Sequence, residues 1–259
     1  MDDVEQSLKK HLRFINNQRK QITRLQSRVQ RLESLLEYSI SDPMVKWLAT
    51  QCQERMDPTV PIFDPGRSAF HLDRYEFASR YVAGKDVADI ACGTGYGTEI
   101  LKESGANHVV GIDVDCDAVA YAKDKHNVAG TEFFCQAGEK TGLASGSVDT
   151  VVSFETIEHV EDDSQLLEEF SRILRPSGEL IISTPNRWPL EIAPFHVREY
   201  DLQGFRTALE PKFEITQMFN QNSGTDFEFN REQPRGIIKT TDSNSAVAEC
   251  FLAVARKKT

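Results

Sequence analysis

Apolar residues recur every seven positions at the start of the chain. Leu8, Ile15, Ile22, Val29 and Leu36 form one row, and Val4, His11, Gln18, Leu25 and Leu32 form a second, four residues earlier in each case. Residues 1–38 hold no Gly or Pro. The pattern predicts a helix with a heptad seam, β-branched at most positions of the first row and leucine late in the second, which favours a parallel two-stranded coiled coil. The alternative is a lone amphipathic helix folded on the body. The pattern breaks from Ser41 to Ala69, where Pro43, Pro58, Pro61, Pro65 and Gly66 predict a connector or an extended arm.

A different alternation follows. An amphipathic helix begins at His71, and then short apolar runs alternate with helical patterns. Strands are predicted at Val87–Ala91, His108–Asp113, Thr131–Cys135, Thr150–Phe154 and Leu180–Ser183. Helices are predicted over Thr98–Ser104, Ala118–Lys125 and Ser164–Leu174. Asp201 is placed to cap a helix running to Leu209. Phe213–Phe219 and Cys250–Ala255 read as a closing antiparallel pair, and Asn220–Ala246 between them as a hairpin excursion or a flap. Strand–helix alternation predicts an α/β fold on a mostly parallel sheet. The division is a coiled-coil helix over 1–40, an arm over 41–69 and a catalytic-type domain over 70–259.

The chemistry concentrates after the first strand. Gly93, Gly95 and Gly97 follow it at alternate positions and open a helix. Strand, glycine turn and helix let a backbone approach a nucleotide closely. Asp113 ends the next strand, twenty residues after Gly93, where a carboxylate can take both ribose hydroxyls. Past the fourth strand stand Glu155, Glu158 and His159, and His196 follows the fifth, at the end of such sheets where ligands bind. If a helical turn starts at Glu155, it shares a face with Glu158 or His159.

Composition narrows the picture. The 259 residues are 39% hydrophobic and 27% charged, and no apolar run is long enough to span a membrane. No secretory leader is expected, which makes the cytoplasm the default location. Five scattered cysteines suggest neither a disulfide framework nor a zinc site. Residues 1–40 carry eight basic and five acidic side chains, net +3, and the remainder 22 and 35, net −13. An acidic body is a poor match for extended nucleic acid.

The turn with its acid four residues ahead, Asp89 to Gly97, resembles motif I of the class I S-adenosylmethionine (SAM) dependent methyltransferases. Gly111-Ile-Asp113, Ser147-Val-Asp149-Thr-Val-Val, Phe154-Glu-Thr-Ile-Glu158-His159-Val and Leu174-Arg-Pro-Ser-Gly178 extend the likeness from Arg74 to Lys257. The resemblance implies a seven-stranded sheet of order 3-2-1-4-5-7-6 with helices on both faces. It implies SAM contacts from Arg74, Asp89, Ala91, Gly93, Gly95, Asp113, Val114, Gln136, Ala137 and Phe154, with Arg74 on the methionine carboxylate. Arg74-Tyr75-Glu-Phe, Ser183-Thr-Pro-Asn186 and Phe195-His-Val-Arg-Glu-Tyr200 resemble bacterial methyltransferases of surface-polysaccharide and glycan assembly. A sugar hydroxyl is then the expected acceptor, with Trp188, Phe195 and Tyr200 as stacking surfaces.

Glu-x-x-Glu-His followed by His-x-x-Glu also resembles the ubiquinone-pathway O-methyltransferases and the RNA 3′-terminal 2′-O-methyltransferases. In the latter, matching residues hold a divalent ion, which here implies Glu155, Glu158, His159 and His196 as ligands. The catalytic candidates are His159, Glu158 and His196, as metal ligands or with a histidine as general base. A homo-oligomer through residues 1–38 is expected. Two other readings stay open: a nicotinamide-dependent oxidoreductase on a similar sheet, and a cofactor-binding scaffold without turnover.

Overall fold

The structure is a computed structural model describing residues 55–60, 62–186, 195–224 and 234–258, with scattered positions between 15 and 48. Eight strands form one sheet: β1 (Asp86–Ile90), β2 (His108–Asp113), β3 (Thr131–Cys135), β4 (Val148–Phe154), β5 (Leu174–Pro185), β6 (Phe213–Asn222), β7 (Gly236–Lys239) and β8 (Cys250–Lys257). Their order is β3-β2-β1-β4-β5-β8-β6-β7. The first five run parallel, and β8 is inserted antiparallel between β5 and β6. Among the fully described stretches the helices are α1 (Pro65–Ala78), α2 (Tyr96–Glu103), α3 (Cys116–Lys125), α4 (Asp163–Ile173) and α5 (Leu202–Leu209).

Alternation along the strands builds two cores. Ala88, Ile90, Val110 and Ile112 pack with Leu166, Phe170 and Phe205 of α4 and α5. Val87 and Val109, one residue out of step, pack with Tyr75 and Phe77 of α1 and Leu101 of α2. Both faces of the sheet are thus covered, which suits its unbroken apolar strands.

Several expectations need correction. The sheet has eight strands instead of seven, because Gly236–Lys239 pairs along the outer edge of β6. The long polar stretch is therefore a hairpin, with 225–233 outside the described residues. The helix expected from His71 starts at Pro65, because the Asp64 carboxylate caps it by accepting from the Arg67 N–H and proline suits its first turn. Cys116 and Cys135 form a disulfide, although no cysteine pairing was expected. Nineteen residues separate them in sequence, and only the β2–β3 ladder brings them together.

Of the heptad rows, Ile15, Ile22, Leu25, Val29 and Leu32 are described, all helical and exposed. Val4, Leu8, His11, Gln18 and Leu36 lie outside the described residues, as do Pro43, Pro61 and Trp188. Among the described residues, no helix is long and apolar enough to cross a membrane.

Candidate active site

The carboxyl ends of β1, β2 and β4 open into a cavity of about 850 Å³. Two non-glycine residues in the left-handed backbone region stand at its rim: Ala91 (φ 61°) just after β1 and Glu155 (φ 51°) just after β4. Such conformations cost of order 1–3 kcal/mol and persist where the surroundings impose them, often at functional sites.

The glycine turn serves the cavity in three ways. Gly93 lines it and donates its N–H to Asp113 Oδ2 at 2.8 Å. Gly95 (φ 90°) opens α2, and a Cβ there would stand 2.6 Å from the Ala122 Cβ. At Gly97 a Cβ would fall 2.0 Å from the Tyr75 ring. Only Gly93 of the three borders the cavity, so Gly95 and Gly97 act through backbone conformation and packing, not through close approach to a ligand.

Asp89 is likewise no wall of the cavity. It is fully buried and holds the turn in place, accepting from Thr98 Oγ1 at 2.7 Å and Tyr75 OH at 3.2 Å. Burial pushes its carboxyl up to about 7 despite those two hydrogen bonds, and the Asp113 charge adds to the rise.

Asp113, Val114, Ala91, Ala137 and Phe154 all line the cavity. Gln136 does not: its side chain is exposed, and its backbone N–H donates to the Asp113 carbonyl instead. The chain turns inward only afterwards, so Ala137, Gly138 and Glu139 border the space. Arg55, which was not expected here, reaches in from the arm to Asp113 Oδ1 at 2.9 Å and Asp115 Oδ2 at 3.3 Å. The arm is fastened behind it. His126 sits between Asp57 Oδ2 at 2.8 Å and Glu99 Oε2 at 2.6 Å, and Thr94 Oγ1 donates to the Met56 carbonyl.

Arg74 and His71, both from α1, line the other end. Arg74 is buried, donates to Gln221 Oε1 at 2.8 Å and lies 3.3 Å from Glu155 Oε1. Burial, with the charges of Arg74 and Arg67, holds His71 well below its ordinary pKa. No sequence pattern singled out His71.

Glu158, His159 and His196 converge, with one ligand atom of each within 4.8 Å of the others. Glu155 is not in this group; Arg74 and the Ser183 hydroxyl, 2.9 Å away, hold its carboxylate. The segment after β4 is a tight turn instead of a helix, closed by His159 N–H to the Thr156 carbonyl, so helical spacing does not govern which side chains meet. Glu158 is buried; its Oε2 accepts from Thr184 at 3.1 Å, while Oε1 has no hydrogen-bond partner among the described residues. Burial, reinforced by the Glu155 charge, pushes its carboxyl well above the usual range.

His159 Nδ1 lies 3.0 Å from the Phe195 carbonyl, which can only accept, so the neutral ring carries its proton there. That turns Nε2 toward Glu158 Oε1, 3.9 Å away. The His196 ring packs edge-on against His159 at 4.7 Å. Burial and His159 lower the His196 pKa. Of the expected stacking surfaces, Phe195 lines the cavity and is half exposed, whereas Tyr200 is buried against Phe205 with its hydroxyl on Asp163.

Sheet, glycine turn and acid-ended second strand are similar to those of SAM-dependent methyltransferases, and SAM is the cofactor that the likeness implies. Residues 88–182 match a family model described as a methyltransferase domain. The chain is 34% identical over 142 residues to a probable SAM-dependent methyltransferase of Mycolicibacterium smegmatis, covering 52% of this chain and 54% of that protein. A ubiquinone biosynthesis O-methyltransferase of Cupriavidus pinatubonensis is 37% identical over 110 residues, 41% of this chain and 43% of that one. The chain thus spans about half the length of the curated relatives it matches. The crystal structure of a SAM-dependent methyltransferase from Mesorhizobium loti shares the fold with a TM-score of 0.56 at 20% identity, covering 72% of this chain and 99% of that one.

Proposed function

We propose that this chain methylates a hydroxyl oxygen of a sugar or another small hydroxylated acceptor. The observation that carries the reading is the Glu158–His159–His196 group, of which His159 lines the cavity that Gly93 and Asp113 also border. Oxygen acceptors must lose a proton during transfer, and an imidazole of this group can take it.

In this reading Asp113 holds the ribose, Gly93 gives the adenosyl group room, Val114, Ala137 and Phe154 flank it, and Arg74 and His71 face the amino-acid end. When bound, SAM would supply a methyl group on a sulfonium to the acceptor oxygen. The chain has to hold the acceptor in line and take its proton. His159 fits that role, since Nδ1 is fixed on the Phe195 carbonyl and Nε2 points toward Glu158.

The same donor set suits a divalent ion. One carboxylate and two imidazoles are ordinary ligands for Mn²⁺, Fe²⁺ or Zn²⁺, and an unpartnered buried Glu158 oxygen is what such an ion would satisfy. When bound, the ion would lower the pKa of the acceptor hydroxyl. Glu155 remains with Arg74 in either case.

The proposed partner is a second copy of this chain, through the heptad rows of residues 1–38. Ile15, Ile22, Leu25, Val29 and Leu32 are 45–61% exposed along it. The test of the acceptor is incubation with methyl-labelled SAM and a panel of sugars, amines and thiols, read by mass spectrometry. Label on an ether oxygen is expected; label on nitrogen or sulfur alone would overturn the O-methyl reading.

A further inference from the structure

We propose that Cys116 and Cys135 are a thiol–disulfide switch on the adenosine end of the cavity, worked by a dithiol reductant. This rests on the reading that the cavity holds SAM. The two sulfurs are bonded, with Cα atoms 5.1 Å apart. Cys135 is the last residue of β3 and stands directly beside Asp113 in the β2–β3 ladder. Cys116 is the first residue of α3, three positions beyond Asp113.

Two loops leave the sheet between these points. Asp113, Val114 and Asp115 line the cavity from one, and Ala137, Gly138 and Glu139 from the other. The disulfide ties the far end of the first loop to the near end of the second. With the bond intact, the separation of the loops is fixed by a covalent link as well as by the Gln136 N–H to Asp113 carbonyl bond. Without it, that hydrogen bond, the ladder and side-chain packing hold them. Val114 is 67% exposed, so little packing restrains its loop from outside.

The bond is within reach of a reductant. Cys116 is exposed and Cys135 is half-buried. The other two described cysteines, Cys92 and Cys250, are buried with free thiols. A thiolate of the reductant attacks Cys116 Sγ, the S–S bond breaks, and Cys135 leaves as a thiolate that takes up a proton. The second thiol of the reductant then displaces Cys116, which also ends as a thiol, and the reductant leaves as its cyclic disulfide. Two electrons pass from the dithiol to the protein, and the loops are released.

The test is calorimetric titration of the full chain with SAM, after mild oxidation and after reduction with dithiothreitol, beside the double variant Cys116→Ser, Cys135→Ser in both conditions. The oxidised wild type is expected to bind SAM about five-fold more tightly than the reduced, the lower end of typical coupling between sites. The double variant should match the reduced wild type whatever the condition. Equal affinity of oxidised and reduced wild type would overturn the switch, and this comparison needs no variant to fold. Alkylation of both cysteines in oxidised protein would overturn it too, by showing that the pair does not form. Absence of SAM binding in every sample would overturn the cofactor reading itself, and the switch with it.

Discussion

The Arg55 guanidinium lies 2.9 Å from Asp113 Oδ1, the carboxylate oxygen that also accepts the Asp115 N–H. The other oxygen, Oδ2, accepts the Gly93 N–H. Oδ1 therefore holds two donors, and a ribose diol can use it only if Arg55 withdraws. Arg55 has a second anchor on Asp115, so it can leave Asp113 without losing its only carboxylate.

Arg55→Ala is accordingly expected to tighten SAM binding. Arg55 is 28% exposed, so the pair is worth about 1 kcal/mol, or a roughly five-fold fall in Kd. Titration calorimetry measures it. A higher Kd in the variant would mean that Arg55 folds onto bound cofactor and contributes to it.

Asp89 sets a pH dependence with a definite sign. Its carboxyl titrates near 7 in the folded chain and near 3.8 in the unfolded one. Between those values the native state keeps a proton that the unfolded state has released, so this group's contribution to stability falls as pH rises through the window. Asp89→Asn should flatten that part of the stability curve. Melting temperatures recorded from pH 4.5 to 7.5 test it, and an unchanged slope would show that Asp89 ionises at an ordinary pH.

Gly97 is expected to tolerate no side chain. A Cβ would sit 2.0 Å from the Tyr75 ring, which itself packs edge-on against Phe154 and Tyr96. Gly97→Ala should destabilise by about 1–3 kcal/mol, the usual cost of overpacking. Urea unfolding would show it as a lower midpoint, whereas an unshifted midpoint would mean that the ring moves freely.

These sites differ in how far they could be read from sequence. Asp113 was legible because a strand pattern ends on it at a fixed spacing from Gly93. Glu158 and His159 were legible as residue types at a strand end, but their separation from Glu155 was not, because it depends on a tight turn and on Arg74 from a distant helix. The contact of Arg55 with Asp113 was not legible, since a proline-interrupted arm has no periodicity to place it. The Cys116–Cys135 bond depends on strand neighbours that no local spacing encodes. Gln136 shows the limit at a single residue: β3 was placed correctly, yet the chain turns into the cavity one position later.

The N-terminal helix offers a test independent of the cavity. If residues 1–38 pair two copies of the chain as proposed, removing them should give a smaller species while leaving SAM affinity unchanged, since the heptad rows and the sheet are separate units. Light scattering that gives the same mass per particle, apart from the deleted segment, would defeat the coiled-coil proposal.

The proposed chemistry rests on Glu158, His159 and His196 together. His159→Ala and His196→Ala should each lower kcat by about 10²-fold or more, the scale of a lost acid–base group. SAM affinity should hardly change, since in the proposed reading Asp113 and Gly93 hold the adenosyl group and neither histidine does. Treatment with a chelator separates the two roles open to these residues. If they hold an ion, activity falls with the chelator and returns with Mn²⁺ or Fe²⁺, and Glu158→Gln loses the metal dependence along with activity. If His159 acts alone as the base, the chelator leaves the rate unchanged and only the histidine substitutions reduce it. Exchange of the ion should also move the alkaline or acid limb of the pH–rate profile in the first case, because the ion then sets the pKa of the bound hydroxyl. Full activity in both histidine variants with chelator present would remove the cluster from catalysis and leave in-line placement of the acceptor as the chain's contribution.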